Sequence, residues 1–254
     1  MEGENNITIS IVIPVYQFNE ELAELSRAMF ESLMETDTRE KLEIIVVDNA
    51  STVDVATLKN YATKYIRNET NLGYCKAVNQ GFKEAIGDLI AVVNNDIKIS
   101  SNWVHISSEI FKENKRIGSV HFKMIGYNDP VVLGNDVWIG GKERWCHASF
   151  YVIKKEAIPE GAYFEGYKEG GYDDYDFFHR MRDVNGLKQA YTNKVVFNHR
   201  DSSTYMALDK RDGNRAERDL KNREIYKERF GEYPDVQFAN LFPEQMKQPW
   251  KPFP

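Results

Sequence analysis

Residues 42–51 read Leu42-Glu43-Ile44-Ile45-Val46-Val47-Asp48-Asn49-Ala50-Ser51, and this stretch decides the fold. Leu42 to Val47 is a short apolar run, and Asp48-Asn49 closes it. A run of that length with polar punctuation reads as a buried strand. Upstream, Ile7 to Ile13 (ITISIVI) is a second β-branched run, stopped by Pro14. Between the two, Asn19 with Glu20 and Glu21 marks a helix start, because a short polar cap and early carboxylates suit the exposed amides and positive end of a helix. Leu22, Leu25, Met29 and Leu33 then recur at three- and four-residue steps and make one apolar helical face.

Downstream, Val55, Leu58, Ala62 and Tyr65 mark another helix, with a short strand near Tyr65 to Arg67. A polar loop, Asn68 to Tyr74, leads into a helix from Cys75 to Ile86, which Gly87 is expected to stop in the left-handed conformation. Leu89 to Val93 is a strand cut by Asn94-Asn95-Asp96. Strand and helix taking turns predict an α/β fold, a mostly parallel central sheet flanked by helices. In such sheets ligands bind beyond the carboxyl ends of the strands. Asp48, Asn49, Asn95 and Asp96 are therefore expected along one edge.

The second half is less regular. Val131 to Ile139 and His147 to Ile153 read as strands around a Gly140-Gly141 turn, and Pro159 to Tyr172 as a Gly- and aromatic-rich loop. Asp174 to Val184 reads as a helix with Gly186 after it, and Arg211 to Phe230 as a charged helix. The tail from Pro234 to Pro254, with Trp250, is expected to wrap the surface. Its aromatic end leaves a peripheral membrane contact open, with packing the favoured reading.

Composition narrows the class. The 254 residues are 42% hydrophobic, enough to bury a large core, which excludes a disordered or collagen-like chain. With 33 Lys+Arg against 39 Asp+Glu the net charge is −6, so there is no strong nucleic-acid signal. Cys75 and Cys146 cannot form a disulfide framework, and a reduced, cytoplasmic compartment is the simpler expectation. Met1 to Asn6 is polar and acidic and does not read as a signal peptide. The longest apolar stretch, Ile7 to Tyr16, is too short to span a bilayer, so no transmembrane segment is expected.

Four constellations carry possible chemistry. Asn94-Asn95-Asp96 ends a strand with a carboxylate able to hold a hard divalent cation on a diphosphate. Taken alone, a polar turn explains that tripeptide better; Asp48 on the same edge argues for a site. Asp173, Asp174 and Asp176 crowd three carboxylates at an apparent helix start, more than capping needs, which points to a cation, a bound positive group or proton transfer. His199, after the apolar strand Val195 to Phe197, is a potential metal ligand. His105, His121, His147 and His179 have no ligand-like spacing and read as structural. Asn71-Leu72-Gly73-Tyr74 with Asn79 and Gly81 supplies amides that could face a nucleotide. No Walker loop, Gly-x-Gly-x-x-Gly fingerprint or Gly-x-Ser-x-Gly elbow is present, which disfavours P-loop kinases, dinucleotide oxidoreductases and α/β-hydrolases.

In order, these segments resemble the family-2 glycosyltransferases of the GT-A fold, particularly their rhamnosyltransferase-like branch. The pieces that carry the likeness are Val12-Ile13-Pro14-Val15-Tyr16, Val46 to Ser51, Asn68 to Gly73 with Asn79 and Gly81, and Val93-Asn94-Asn95-Asp96. Ala148 to Glu156, Asp173-Asp174-Tyr175-Asp176 and His199 with Ser202-Ser203 complete it. The likeness spans roughly residues 7–230. It implies one GT-A catalytic domain over 1–230, with a nucleotide-binding half at about 1–100, an acceptor half at about 101–230, and a tail at 231–254.

The resemblance also implies roles. Pro14, Tyr16, Asp48 and Asn49 would line the nucleotide pocket, with Asn71, Gly73, Asn79 and Asn95 also on the donor side. Asp96 would hold Mn²⁺ or Mg²⁺ on the donor diphosphate, with His199 as second protein ligand. Asp174 would be the catalytic base, and Asp173 and Asp176 would position the acceptor or support the helix start. Two departures stand out: Asn94 replaces the first Asp of the usual Asp-x-Asp, and Asp173 replaces a usual Glu. The implied reaction is an inverting transfer from a nucleotide-sugar donor (UDP- or dTDP-linked) to a glycan or other hydroxyl acceptor, one displacement needing one base. The alternatives are a sugar-nucleotide nucleotidyltransferase, which wants a Gly-rich basic loop where Tyr16 to Glu21 has neither, and a non-catalytic module that binds a glycan or nucleotide-sugar.

Overall fold

A computed structural model describes residues 9–36, 42–100, 102–140, 148–167, 171–183, 186–200 and 215–231. In chain order the elements are β1 (Ile9–Val15), α1 (Glu20–Thr36), β2 (Leu42–Asp48), α2 (Val55–Tyr61), β3 (Lys64–Arg67), α3 (Tyr74–Glu84), β4 (Leu89–Val93) and β5 (Ile97–Ile99). There follow α4 (Trp103–Glu113), β6 (Ile117–Gly126), β7 (Val137–Gly140), β8 (Phe150–Lys154), α5 (Asp173–Asp183), β9 (Lys188–His199) and α6 (Arg215–Phe230). The strands form one sheet in the order β3-β2-β1-β4-β8-β6-β9-β5, with β7 beside β9.

The α/β architecture with flanking helices matches the expectation from sequence. Parallel pairing runs through β3, β2, β1 and β4 and returns between β6 and β9. β8 enters antiparallel between β4 and β6, and β5 and β7 are antiparallel to β9, so the sheet is mixed.

β1 is the switch point. From it the chain builds outward through β2 to β3, then returns through α3 to place β4 on the other side. Pairing of β1 with β2 continues to Val15↔Asp48, whereas pairing with β4 stops at Val12↔Val92. Beyond Val12 the two strands part, which opens a crevice at the carboxyl edge where such sheets bind ligands. Pro14 lies in that parted stretch, where a missing N–H breaks no β4 ladder.

Alternation along the strands feeds two cores. Ile9, Ile11, Ile13 and Val15 pack with Met29, Phe30 and Leu33 of α1 and with Trp103 of α4. Val12, Ile45 and Val47 face the other way, against Ala77, Val78 and Phe82 of α3 and Phe177 and Phe178 of α5. α3 lies unusually close to β1: a Cβ at Gly81 would fall 2.2 Å from Val12 Cγ1. Gly81 is therefore a packing glycine, not part of a ligand-facing turn.

Several local expectations need correction. Asn19 caps α1 as read, its Oδ1 accepting the Leu22 N–H at 2.9 Å. α2 stops at Tyr61, because Ala62 is extended and Tyr65 already belongs to β3. α3 stops at Glu84 with Ala85 extended, and Gly87 is not left-handed; its N–H donates to Ser10 Oγ at 2.8 Å. β7 is only Val137–Gly140 and pairs with β9, so it forms no hairpin with β8. β5, α4 and β6 were not legible as elements. β6 hides its strand character by burying Ser119 and His121, which bond each other (Oγ to Nε2, 3.0 Å). Cys146, Gly141, His147, Ser202, Ser203, residues 211–214 and the tail at 232–254 lie outside the described residues.

Candidate active site

The carboxyl edge gathers residues from six segments. At the end of β2, Asp48 is fully buried and both its oxygens are engaged. Oδ1 accepts the Ser51 N–H at 2.7 Å, while Oδ2 accepts from the Tyr65 hydroxyl and the Arg67 guanidinium. Arg67 also donates to the Ser51 carbonyl at 2.9 Å. Neither Tyr65 nor Arg67 was picked out from sequence. The signal was available, since they stand two apart on a strand and share a face, and the register sets Arg67 opposite Asp48. Ala50, just after, has φ 66, a left-handed conformation unusual for a residue with a Cβ.

Asn49 ties this turn to the start of α3. Its Nδ2 donates to the Gly73 carbonyl at 3.2 Å and its Oδ1 accepts from Asn68 at 2.8 Å. Asn71, exposed, accepts the Gly73 N–H at 2.9 Å, and Gly73 has φ 87, so the loop needs glycine there. Pro14 is buried at the mouth of the crevice, and Tyr16 rests against Phe18 with ring centroids 5.2 Å apart. Asn79 does not join them. Its amide is engaged by both backbone groups of Tyr163 and by Glu165, which makes it a structural clasp.

At the end of β4, Asn95 donates to Ser26 Oγ at 2.9 Å and braces the turn against α1. Asn94 Oδ1 is a buried oxygen with no hydrogen-bond partner among the described residues. Asp96 meets His199, Oδ1 to Nε2, at 3.2 Å. The pairing of β5 with β9 sets Ile97 opposite His199, and the Arg200 N–H donates to the Asp96 carbonyl at 3.0 Å. Both side chains are buried. No group of three or more His, Cys, Asp or Glu side chains suited to a metal is assembled among the described residues.

The segment just before β8 lies between the β4 turn and the start of α3. The Asn94 N–H donates to the Ser149 carbonyl at 2.9 Å, and the Tyr74 hydroxyl reaches the neighbouring Ala148 carbonyl at 3.5 Å. Tyr74, at the start of α3, feels the charges of both Asp173 and Asp174. Gly171 (φ 89) and Tyr172 (φ 67) turn the chain sharply into α5, and its first turn separates the three carboxylates into different settings. Asp173 is buried, and burial raises its carboxyl against the lowering pull of nearby donors. Asp174 is half-buried, accepts the Tyr175 N–H at 2.9 Å, and is pushed up to about 8 by burial and by the charge of Asp173. Asp176 faces away into a structural hub. It accepts from Arg180 Nε at 2.6 Å, Arg229 Nε at 2.5 Å and the Tyr167 hydroxyl at 3.1 Å. Of the two roles expected for Asp176, support of α5 fits this geometry and acceptor contact does not.

The sequence profile of glycosyl transferase family 2 matches residues 10–136, half of the chain. The chain belongs to that family. Its family-2 match takes in the ends of β1, β2 and β4 with Asp48 and Asp96, and stops short of Asp174 and His199. Among curated relatives, the dolichol-phosphate mannosyltransferase of Pyrococcus furiosus is 35% identical over 161 residues, covering 60% of this chain and 40% of that protein. The chain spans less than two thirds of the length of each curated relative it matches. Among solved structures, GalNAc-T7 with UDP, GalNAc and Mn²⁺ superposes with a TM-score of 0.60 at 16% identity, covering 78% of this chain and 44% of that one. Staphylococcus aureus TarS 1–349 in complex with UDP superposes with a TM-score of 0.60 at 15% identity, over 95% of this family-2 chain and 77% of that one. These likenesses establish the GT-A fold. No described helix is long and apolar enough to cross a membrane.

Proposed function

We propose that the protein is an inverting glycosyltransferase that moves a sugar from a UDP- or dTDP-sugar to an acceptor hydroxyl. The observation that carries this reading is the meeting of Asp96 and His199, buried side by side at the carboxyl edge although 103 residues separate them. A carboxylate suits Mn²⁺ or Mg²⁺, and a neutral imidazole beside it is a ligand for a transition ion, which favours Mn²⁺ of the two. Their 3.2 Å separation is close to the roughly 3 Å between neighbouring ligand atoms of an octahedral ion with short metal–oxygen bonds. Asn94 Oδ1, without a hydrogen-bond partner among the described residues, is a hard oxygen two positions before Asp96 in the chain. Asp96 and His199 would hold the ion, and its chemistry there would be to neutralise charge gathering on the diphosphate leaving group. The Mn²⁺ and UDP held by GalNAc-T7 support both classes of ligand.

The remaining work belongs to the chain itself. Pro14 and Tyr16 at the end of β1 and Asn49 at the end of β2 would line the nucleotide site. Arg67 holds Asp48 in one orientation beneath it, and the loop of Asn71 and Gly73 closes the near side. Asn95 braces the turn that aims Asp96. Asp174 takes the acceptor proton as the new bond to the anomeric carbon forms. A carboxyl titrating near 8 is a stronger base than an ordinary aspartate, well matched to an alcohol that acidifies only as it attacks. One base on the acceptor side permits a single displacement, hence inversion.

The test is a thermal-shift panel of nucleoside diphosphates with and without Mn²⁺ or Mg²⁺. UDP or dTDP raises Tm only with the cation, by mass action on the native state, and Asp96→Asn and His199→Ala lose that response. If no nucleoside diphosphate stabilises the protein under any cation, the reading fails.

A further inference from the structure

At the amino edge of the sheet, a cavity of about 540 Å³ opens between the end of α4 and the junction of β4 with β8. Leu89 begins β4, and the antiparallel register sets Lys154, the last residue of β8, directly opposite it. The Lys155 N–H donates to the Asp88 carbonyl at 2.9 Å and holds the two strand ends together. Phe111 and Lys112, in the last turn of α4, and Lys115 just beyond it close the remaining side. Asp96 follows the opposite end of β4, so the length of a five-residue strand, roughly 16 Å, separates the cavity from the carboxyl edge.

Lys112, Lys115, Lys154 and Lys155 line this cavity, and none of the four is ion-paired among the described residues. Lys112 complements the negative end of α4, but Lys154 and Lys155 end a strand and have no such reason to be there. Lys154 is half-buried; its Nζ donates to the Lys115 carbonyl at 2.9 Å and lies 5.4 Å from the centroid of the Phe111 ring. Lys155 Nζ donates to the Ala85 carbonyl at 2.7 Å. Each bond uses one of an ammonium's three donors. Burial holds the Lys154 ammonium below the ordinary lysine range; Glu156 opposes that shift and Lys115 adds to it. The carboxylates lining the cavity are Asp88 and Glu156, both exposed. Four cations against two carboxylates, and about half a charge from the carboxyl end of α4, leave roughly one and a half positive charges unbalanced.

We propose that this cavity is a second ligand site, which takes the phosphate monoester group of a small soluble molecule. Ammoniums are compact point charges, suited to an anion met from several directions rather than to the planar clasp that a guanidinium makes. A phosphate monoester carries about −1.5 to −2 at neutral pH, which matches the unbalanced charge. The cavity falls in the size range of small-molecule sites, about 300–1,000 Å³. Leu89 and Phe111 offer the rest of the molecule an apolar wall. A concave site with a half-buried ammonium favours a discrete ligand over the flat headgroup layer of a membrane. The proposal uses no residue of the carboxyl edge and stands whether or not that edge transfers a sugar.

The experiment is a titration of the full chain with inorganic phosphate, in EDTA at constant ionic strength, followed by proton–carbon NMR of lysines labelled at Cε. Lys112→Arg, Lys115→Arg, Lys154→Arg and Lys155→Arg assign the four signals. Those signals move together along one saturating curve while the other lysines stay put, and bound phosphate raises the Lys154 titration toward its ordinary range. Lys154→Gln weakens binding about tenfold, the loss of one charged hydrogen bond. Asp88→Asn, at an exposed position, tightens it about twofold, so the test includes a variant that gains binding. Asp96→Asn leaves the curve unchanged. Failure to saturate, shifts spread evenly over the lysines, or a curve abolished by Asp96→Asn overturns the proposal. So does binding to vesicles of phosphatidylcholine and phosphatidic acid with none to free phosphate, which would make this face a membrane contact.

Discussion

Asn79 of α3 clasps the backbone of Tyr163 on both sides: its Nδ2 donates to the Tyr163 carbonyl at 2.8 Å, and its Oδ1 accepts the Tyr163 N–H at 2.9 Å. An amide side chain here replaces the strand partner that an irregular segment lacks, and it satisfies two buried backbone groups at once. Asn79→Ala strands both, at a cost of about 1–3 kcal/mol each before relaxation. Urea unfolding should show the midpoint fall with the slope unchanged. A variant as stable as the wild type would mean that the loop finds other partners and that the clasp is incidental.

The raised carboxyl of Asp174 makes stability depend on pH with a definite sign. Its folded value, about 8, lies above its ordinary value of 3.8, so the native state holds a proton that the unfolded chain releases. That contribution is full below about pH 4 and fades as pH climbs through about 8. Asp174→Asn cannot lose it. Relative to wild type the variant should gain Tm between pH 5 and pH 8.5, about 2–4 °C for each kcal/mol relieved, while transfer falls by about 10²–10⁴-fold. Parallel melting curves for the two proteins across that range would contradict the burial of this carboxyl.

Arg67→Ala removes one of three donors from a fully buried carboxylate. We expect a loss of about 1–3 kcal/mol, read by denaturant unfolding, together with weaker nucleoside diphosphate binding by calorimetry. Arg67→Lys restores charge without the planar fork that spans Asp48 and the Ser51 carbonyl, so it should recover stability only in part. Wild-type stability in Arg67→Lys would reduce Arg67 to a simple counter-charge.

Gly81→Ala forces a methyl to within 2.2 Å of Val12 Cγ1, where α3 packs on β1. Overpacking of this kind costs about 1–3 kcal/mol. Val12→Ala alone should also destabilise, by leaving a cavity. The double variant should recover much of the loss, because each change supplies what the other lacks. Additive losses would show that α3 can shift away from the sheet.

The first hundred residues of the fold were legible because they are built from local rules. Ile7 to Ile13 is a β-branched run and Leu42 to Val47 is apolar but for Glu43, short patterns that read as buried strands, and Asn19 announces α1 with a cap. The later strands were less so, because they find partners far away. β5 is three residues long and is a strand only through β9, and β7 is defined by β9 as well. In β6 the buried Ser119 and His121 break the apolar pattern and are reconciled by bonding each other. At the site, Asp48, Asp96 and His199 came from polar residues at strand ends. Arg67 was missed because a cation at the end of a short strand looks like solvent-facing charge. Asp176 was grouped with its neighbours because sequence spacing does not show that it turns away toward Arg180 and Arg229.

The pairing of β5 with β9 also sets a timetable. As the chain leaves the ribosome, Asp96 emerges roughly a hundred residues before the imidazole that will stand beside it. The early strands can assemble their crevice from nearby contacts, since short-range pairing forms fastest. The two side chains meet only when β9 zips onto the sheet. A half-synthesised chain therefore lacks the Asp96–His199 pair, which is completed late, in a single closing event.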